Sequence, residues 1–137
     1  MLDITGFSRF EVTGPNAEAW LARVLAGRMP KPGKAALAPM LSPEGRMKGD
    51  LTVFNWGDGC WWIMGSYYLR AWHMRWFSQY AETGVEVRDL GEEWAGFSLA
   101  GPKSKQVIEQ LTDGDIGQLG FMGCGTFDIG LLRTRIG

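Results

Sequence analysis

The sequence is poor in the residues that build metal and disulfide sites. Its 137 residues include only two cysteines, Cys60 and Cys124, which lie far apart and form no C-x-x-C motif, and a single histidine, His73. Two isolated cysteines indicate neither a disulfide framework nor a metal centre, and they make a reducing cytoplasm the expected compartment. We therefore predict that the chain has no metal site.

Long apolar runs and an excess of positive charge are also missing. No apolar run approaches the roughly 20 residues needed to span a bilayer. The N-terminal stretch MLDITGFSRF lacks the basic and apolar regions of a signal peptide. Lysine and arginine number 14 against 15 acidic residues, so the formal net charge is −1. We therefore expect neither a nucleic acid nor a membrane as a partner.

Apolar and aromatic residues are plentiful. Hydrophobic residues make up 45% of the chain and charged residues 21%, which is typical of a globular protein and argues against disorder. The length fits one ordinary domain or part of a larger protein. Seven tryptophans are many for this length, and we expect most of them in a core or an interface.

An internal repeat organises the chain. FEVTGPNAEAWLARVL begins at Phe10, FSLAGPKSKQVIEQL begins at Phe97, and the Gly14-Pro15 pair of the first copy recurs as Gly101-Pro102. In each copy, alternating apolar residues predict a half-buried strand. Glycine then permits a tight turn, and proline suits the first position of the helix that follows. Each copy therefore predicts a strand, a turn and an amphipathic helix.

The rest of the first copy predicts further strands and a second helix. KAALAPML reads as a strand, and DLTVFNW and CWWIMGS read as a hairpin around WGDG. YYLRAWHMRWFSQYAE reads as a helix with Tyr68, Trp72 and Trp76 on one face, and VEVRDL closes the copy as a strand. The order β-α-β-β-α-β predicts an α+β fold of the ferredoxin-like, split βαβ type.

The second copy is shorter and ends in a predicted hairpin, GTFDIGLLRTRIG. We therefore expect a complete repeat over residues 1–90 and an incomplete one over residues 91–137. An incomplete layer leaves apolar side chains and a strand edge uncovered, and both favour association with another chain. We predict a homo-oligomer, most simply a two-fold dimer.

Several stretches together carry a family resemblance. MLDITGFSRFEVTGPNAEAWL, APMLSPEGRMKGDLTVF, HMRWF, FSLAGPKSK and RTRIG, in this order, resemble the folate-binding aminomethyltransferase superfamily. That superfamily includes the glycine cleavage T-protein and the C-terminal folate domains of dimethylglycine and sarcosine dehydrogenases. MLSPEGRMKGDLTV and HMRWF are more similar to the dehydrogenase branch. The resemblance covers essentially the whole chain.

The resemblance implies tetrahydrofolate as the cofactor and one-carbon transfer as the activity, with a small methylated amine as the other partner. It places a catalytic acid at Asp50, which faces the folate nitrogens that accept the one-carbon unit. It places Thr52, Phe54, Ser66 and Leu37 beside the folate as binding residues.

The sequence also departs from the family pattern. The second acid that the T-protein carries just before its catalytic aspartate is Gly49 here, its folate-contacting tyrosine is Leu37, and its asparagine is Ser66. Family members also extend beyond both ends of this chain and supply a glutamate that lines the site. We therefore expect this chain to be inactive alone and to bind folate weakly.

The residues around Asp50 permit two interpretations. On an extended strand, Asp50, Thr52 and Phe54 point to one face, whereas Leu51 and Val53 point to the other and suit a core. A carboxylate beside a hydroxyl and an aromatic ring suits a flat ligand with basic nitrogens, whose reaction needs a proton acceptor. Alternatively, Asp50 is a solvated turn acid and Phe54 packs against a neighbour.

Other candidates are weaker. His73 has no second ligand-type residue near it and is expected at the surface or at a boundary. Trp72 and Trp76 are expected in a core or an interface. Arg133 and Arg135 share one strand face and could pair with an acid, with no role assigned. Lys31 and Lys34 could meet the glutamate tail of a folate, although a solvated loop is the better interpretation.

Three functions fit these observations. The first is a fragment of a tetrahydrofolate-dependent one-carbon transfer domain, linked to oxidative demethylation of an N-methylated glycine. The second is aminomethyl transfer of the T-protein type. The third is a non-catalytic, oligomerising binding module.

Overall fold

Short alternating stretches fold into strands, and the apolar-periodic stretches between them fold into helices. The computed structural model describes residues 1–137. In chain order the elements are β1 (Leu2–Asp3), β2 (Ser8–Thr13), α1 (Ala17–Val24), β3 (Lys34–Leu37), β4 (Met40–Leu41), β5 (Met47–Gly49), β6 (Thr52–Gly57), β7 (Cys60–Gly65), α2 (Arg70–Gln79), β8 (Glu86–Asp89), β9 (Phe97–Ser98), α3 (Ser104–Glu109), β10 (Gly125–Ile129) and β11 (Leu132–Ile136). Two short 3-10 turns span Tyr67–Leu69 and Ile116–Gln118. This is the α+β architecture that the sequence predicts.

The main sheet has five antiparallel strands in the order β3-β6-β7-β2-β8. Its central hairpin, β6–β7, closes through Asp58 and Gly59, whose φ angles are 51° and 71°. Two consecutive positive φ angles define a tight turn that matches the twist of a hairpin, and Asp-Gly accepts them readily. The hairpin predicted around WGDG is therefore confirmed.

One face of the main sheet carries the core. Phe10, Val53 and Ile63 point from it towards helices α1 and α2 and are fully buried. Helix α1 buries Trp20 and Leu21 against them, as its apolar spacing predicts. None of the helices combines the length and the apolar character needed to cross a membrane.

The stretch KAALAPML forms two strands instead of the predicted one. Strand β3 pairs with β6, and β4 pairs with β5 in a separate small sheet. The break falls at Ala38-Pro39, between the two strands. Proline has no N–H to donate to a ladder, so a continuous strand ends at this point.

The aromatic stripe predicted on the second helix is shorter than expected. The centroids of Trp72 and Trp76 lie 5.9 Å apart on α2, and Trp76 is buried. Tyr68 is 93% exposed, because it lies in the 3-10 turn before the helix. A 3-10 turn has three residues per turn, which rotates Tyr68 away from the tryptophans.

The second copy of the repeat forms the same kinds of element but buries much less. Phe97 in β9 is 58% exposed, whereas its counterpart Phe10 is fully buried. Strand β9 pairs with β1, and the hairpin β10–β11 pairs only with itself. Residues 121–124 join this region to the edge of β3, where the Ala35 N–H donates to the Met122 carbonyl at 2.8 Å.

Candidate functional site

The face of the main sheet opposite the helices, called the open face below, carries three of the predicted site residues. Leu37 pairs with Thr52, and Thr52 pairs with Met64 across the β6–β7 hairpin. Phe54 pairs with Trp62 one step further along. Directly paired residues project to the same side of a sheet. Leu37, Thr52 and Phe54 therefore lie side by side, and alternation along the strand predicts the shared face of Thr52 and Phe54.

Asp50 and Ser66 lie at the open end of the same hairpin. Asp50 comes two residues before Thr52 and Ser66 two residues after Met64, so the hairpin register, if continued, places them opposite each other. Asp50 is exposed, and its carboxylate makes neither an ion pair nor a hydrogen bond. The hydroxyls of Thr52 and Ser66 also make no hydrogen bond. The polar groups of this end are therefore free to contact a ligand.

The two apolar residues of the predicted site, Leu37 and Phe54, differ in how much of the side chain is exposed to a ligand. The side chain of Leu37 is 71% exposed. Phe54 is half-buried, and its ring stacks on Trp56 with the centroids 5.4 Å apart and the planes 4° from parallel. Gly137 lies against the ring edge, where an added Cβ would be 2.9 Å from Phe54 Cε1. Phe54 thus packs on a neighbour, and one of its ring faces is already covered.

His73 lies in the core, and its predicted place at the surface or at a boundary is wrong. The imidazole is fully buried, with its centroid 6.2 Å from that of Phe10 and 6.4 Å from that of Phe77. Neither ring nitrogen has a hydrogen-bond partner. Burial lowers the pKa of His73 below its ordinary value. The helical spacing of His73 with Trp76 and Phe77 was the sequence signal for a buried position.

Gly49, the residue before Asp50, leaves room for this histidine. A Cβ on Gly49 would lie 2.8 Å from His73 Nε2, and a Cβ on Gly65 would lie 3.2 Å from His73 Cε1. The imidazole therefore fills the space beneath the two glycines that precede Asp50 and Ser66 in the chain. A side chain at position 49 and this histidine cannot both be accommodated without movement.

Sequence reasoning also missed an aromatic cluster around Arg135. The guanidinium carbon lies 4.1 Å from the Trp62 ring centroid, 5.0 Å from that of Trp56 and 5.6 Å from that of Trp94. The rings come from two strands of a hairpin and from a loop more than 30 positions away in sequence, so no local pattern marks them as one group. Arg133, the other arginine of the strand, is exposed.

Glu11 lies beside this cluster and links it to the edge strand β8. One carboxylate oxygen accepts a hydrogen bond from Trp62 Nε1 at 3.2 Å, and the other accepts one from Arg88 at 3.1 Å. Burial acts to raise the pKa of Glu11, but the hydrogen bonds from Trp62 and Arg88 outweigh it and hold the pKa below its ordinary value. Glu11 is therefore a carboxylate at neutral pH.

The remaining candidates lie apart from the open face. Lys34 donates to the Phe121 carbonyl at 3.1 Å, so it ties residues 121–124 to the sheet edge.

A cleft of about 230 Å³ is lined by Phe7, Ser8, Tyr67 and Arg70 among others. A larger cleft of about 440 Å³ lies between residues 109–114 and 126–130. Neither cleft is lined by any of the five predicted site residues.

Comparison with known proteins relates the whole chain to one family. The model of the GCVT N-terminal domain matches residues 1–137. The mitochondrial dimethylglycine dehydrogenase of Rattus norvegicus is 28% identical over 119 residues, which is 85% of this chain and 14% of that protein. An aminomethyltransferase of Geobacillus kaustophilus is 26% identical over 121 residues, which is 87% of this chain and 33% of that protein.

A solved structure shares the fold. The crystal structure of glycine cleavage system aminomethyltransferase T from Bartonella henselae matches with a TM-score of 0.77 at 19% identity, over 90% of this chain and 34% of that one. The chain thus spans between about one seventh and one third of the length of these relatives.

Proposed function

The chain belongs to the GCVT N-terminal domain family, and from this premise we propose that it is part of a tetrahydrofolate-dependent one-carbon transfer domain. We place this domain in a protein that oxidatively demethylates an N-methylated glycine. The observation that carries the proposal is the free carboxylate of Asp50 at the open end of the β6–β7 hairpin. The resemblance of MLSPEGRMKGDLTV and HMRWF to the dehydrogenase branch supports the link to demethylation.

The groups at this end of the hairpin fit a folate on chemical grounds. Asp50 is an exposed carboxylate without a partner, and the free hydroxyls of Thr52 and Ser66 can donate or accept hydrogen bonds. Leu37 offers an exposed apolar surface. Phe54 can offer no more than one ring face, because Trp56 covers the other. The residues present therefore fit a ligand with a polar, nitrogen-rich end and an apolar edge.

Tetrahydrofolate supplies the nucleophilic amine in this chemistry. A carboxylate at Asp50 would stabilise a cationic methylene iminium by its negative charge. It would also accept the proton that the amine loses when the new carbon–nitrogen bond forms. The absence of a second acid at Gly49 leaves both roles to Asp50.

We further propose a ferredoxin-like arrangement for residues 1–90, followed by an incomplete second repeat over residues 91–137. The strand order β6-β7-β2-β8 with helices α1 and α2 on one face supports the first unit. The sparse burial of β9 and α3 supports the incomplete second unit. The cytoplasm is our proposed compartment, and the free thiols of Cys60 and Cys124 support reducing surroundings.

A second candidate function is aminomethyl transfer of the T-protein type. The fold shared with the Bartonella henselae structure favours it, as does the match to the Geobacillus kaustophilus aminomethyltransferase. The substrate distinguishes the two candidates, because one starts from a methylated glycine and the other from an aminomethyl group carried by a second protein.

The test uses a full-length protein that carries this segment. We expect it to form methylene-tetrahydrofolate when it is supplied with tetrahydrofolate, an electron acceptor and dimethylglycine or sarcosine. Formation only from the aminomethyl donor of glycine cleavage would move the assignment to the T-protein type. No folate product from either source would leave the binding module as the function.

A further inference from the structure

Two tryptophans of the open face, Trp56 and Trp62, and the loop residue Trp94 form an aromatic cluster, called the Trp cage-site below. The rings of Trp56 and Trp62 meet at 77° with their centroids 5.5 Å apart, and those of Trp62 and Trp94 meet at 80° at 4.7 Å. The Arg135 guanidinium carbon lies over all three rings, between 4.1 and 5.6 Å from their centroids, so the three rings converge on one position. A cation is the occupant that the faces of such rings attract.

The present occupant is the guanidinium of Arg135, and few hydrogen bonds hold it there. Its only hydrogen bond runs from Nη2 to Cys60 Sγ at 3.4 Å, and sulfur is a weak acceptor. The other terminal nitrogen, Nη1, is buried without a partner. The guanidinium forms no ion pair, and the carboxylate of Glu11 accepts hydrogen bonds from Trp62 and Arg88 instead. The ring faces therefore provide most of its stabilisation.

The shortage of hydrogen-bond acceptors around the guanidinium indicates which ligand the site would prefer. A guanidinium carries five N–H donors, and a buried donor without a partner costs free energy. A methylated ammonium ion carries the same charge with few or no donors, and aromatic cages bind such ions. The negative charge of Glu11 beside the rings favours either cation.

The strand that carries Arg135 is weakly attached to the rest of the protein. Strand β11 pairs only with β10, and their hairpin joins no other sheet. Leu131 at its turn is fully exposed. Segments with few buried contacts open at low cost in free energy. Arg135 can therefore leave the cage without disrupting the main sheet.

From these observations we propose that the Trp cage-site is a binding site for a methylated ammonium ion, and that Arg135 is an internal occupant that this ion displaces. The site is separate from the Asp50 end of the hairpin. The proposal rests on the ring geometry, the poorly satisfied guanidinium and the loosely attached strand β11, so it does not depend on the folate function.

The test titrates tetramethylammonium chloride into the 137-residue chain and follows the indole N–H signals of the tryptophans by NMR, with potassium chloride at equal concentration as the salt control. Arg135→Ala empties the cage, and Arg133→Ala is the matched control on the same strand. We expect Arg135→Ala to bind the ion about tenfold more tightly than the parent or Arg133→Ala. The shifts should centre on Trp56, Trp62 and Trp94.

A second variant keeps the test decisive if Arg135→Ala perturbs the hairpin. Arg135→Gln removes the charge, retains most of the side chain and should also bind more tightly than the parent. Trp94→Leu added to either Arg135 variant should abolish the gain in affinity for tetramethylammonium, because it removes one of the three rings. Equal affinity in the parent and both Arg135 variants, or a gain that survives Trp94→Leu, would overturn the proposal.

Discussion

Gly49 and His73 fit against each other in the core, with room for a hydrogen at position 49 and none for a methyl group. A Cβ on Gly49 would lie 2.8 Å from His73 Nε2 and 3.4 Å from the terminal carbon of Met40. The imidazole cannot retreat, because it is fully buried and in contact with Phe10 and Phe77. The residue before the proposed catalytic acid is thereby fixed by a side chain of helix α2.

This contact predicts that Gly49→Ala destabilises the protein. Forcing an extra methyl group into a packed core typically costs about 1–3 kcal/mol. Gly6→Ala is the matched control, since a Cβ there meets nothing within 4 Å. Urea denaturation of both variants measures the difference. Equal free energies of unfolding for the two would mean that His73 moves aside at no cost.

His73 predicts how stability changes with pH. Burial lowers its pKa in the folded state, so below the ordinary histidine value of about 6.5 the unfolded chain takes up more protons than the folded one. The free energy of unfolding should therefore be fully present above that pH and fall as the pH drops below it. His73 is the only histidine, so no other imidazole contributes.

The control for the pH effect is His73→Leu, which cannot titrate and removes both unpartnered nitrogens. Denaturant unfolding of the parent and the variant between about pH 5 and pH 7 spans the titration range of histidine. We expect the parent to lose stability towards pH 5 and the variant to change much less. If the free energy of unfolding changed equally with pH in the two proteins, a group other than His73 would control stability between about pH 5 and pH 7.

The proposed role of Asp50 predicts a large effect on one-carbon transfer. In a full-length relative that carries this segment, Asp50→Asn keeps the size of the side chain but removes its charge and its capacity to accept a proton. We expect transfer to tetrahydrofolate to fall by about 10²-fold or more. Asp58→Asn is the control, because Asp58 is an exposed acid in the turn at the other end of the hairpin. Unchanged transfer in Asp50→Asn would make Asp50 a solvated turn acid.

The chain covers only a small part of the length of its relatives, and this predicts weak folate binding. The chain spans 14% of the rat dimethylglycine dehydrogenase and 33% of the Geobacillus kaustophilus aminomethyltransferase. Under the proposed function it is one part of a folate domain, so we expect other parts of that domain to contribute contacts to the ligand. We expect calorimetry to detect weak tetrahydrofolate binding or none. A sub-micromolar dissociation constant would show that the 137 residues already form a sufficient site.

The uncovered hairpin β10–β11 predicts self-association. Leu131 and Leu132 are exposed, and a strand that pairs on one side only can recruit a second chain. We expect light scattering to give about twice the 15.2 kDa mass of one chain, and Leu131→Glu to return it to the monomer. Leu37→Glu, on an exposed leucine elsewhere, should leave the dimer intact. A parent that is monomeric at micromolar concentration would contradict the prediction.

The sequence alone was sufficient for the elements whose shape depends on neighbouring residues. Asp58-Gly59 fixes a two-residue turn through its backbone angles, and alternation around Val53 sends one set of side chains to the core. The helical spacing after Pro15 likewise determines which face of α1 is buried. The last two features follow from periods of two and 3.6 residues, and the turn follows from the backbone preferences of Asp-Gly, so all three can be read locally.

Tertiary structure decided the rest, because the deciding contacts join distant positions. Helical spacing marks His73 as part of the buried face of α2, but its contacts with Phe10 and Gly49 join positions more than 20 residues apart in the sequence. Phe97 repeats the pattern of Phe10 yet remains exposed, since a local pattern specifies a strand but not its partner. Arg135 meets Trp62 only after the C-terminal hairpin folds back over the open face. The free energy of such contacts arises from burial and charge in three dimensions, which no local pattern encodes.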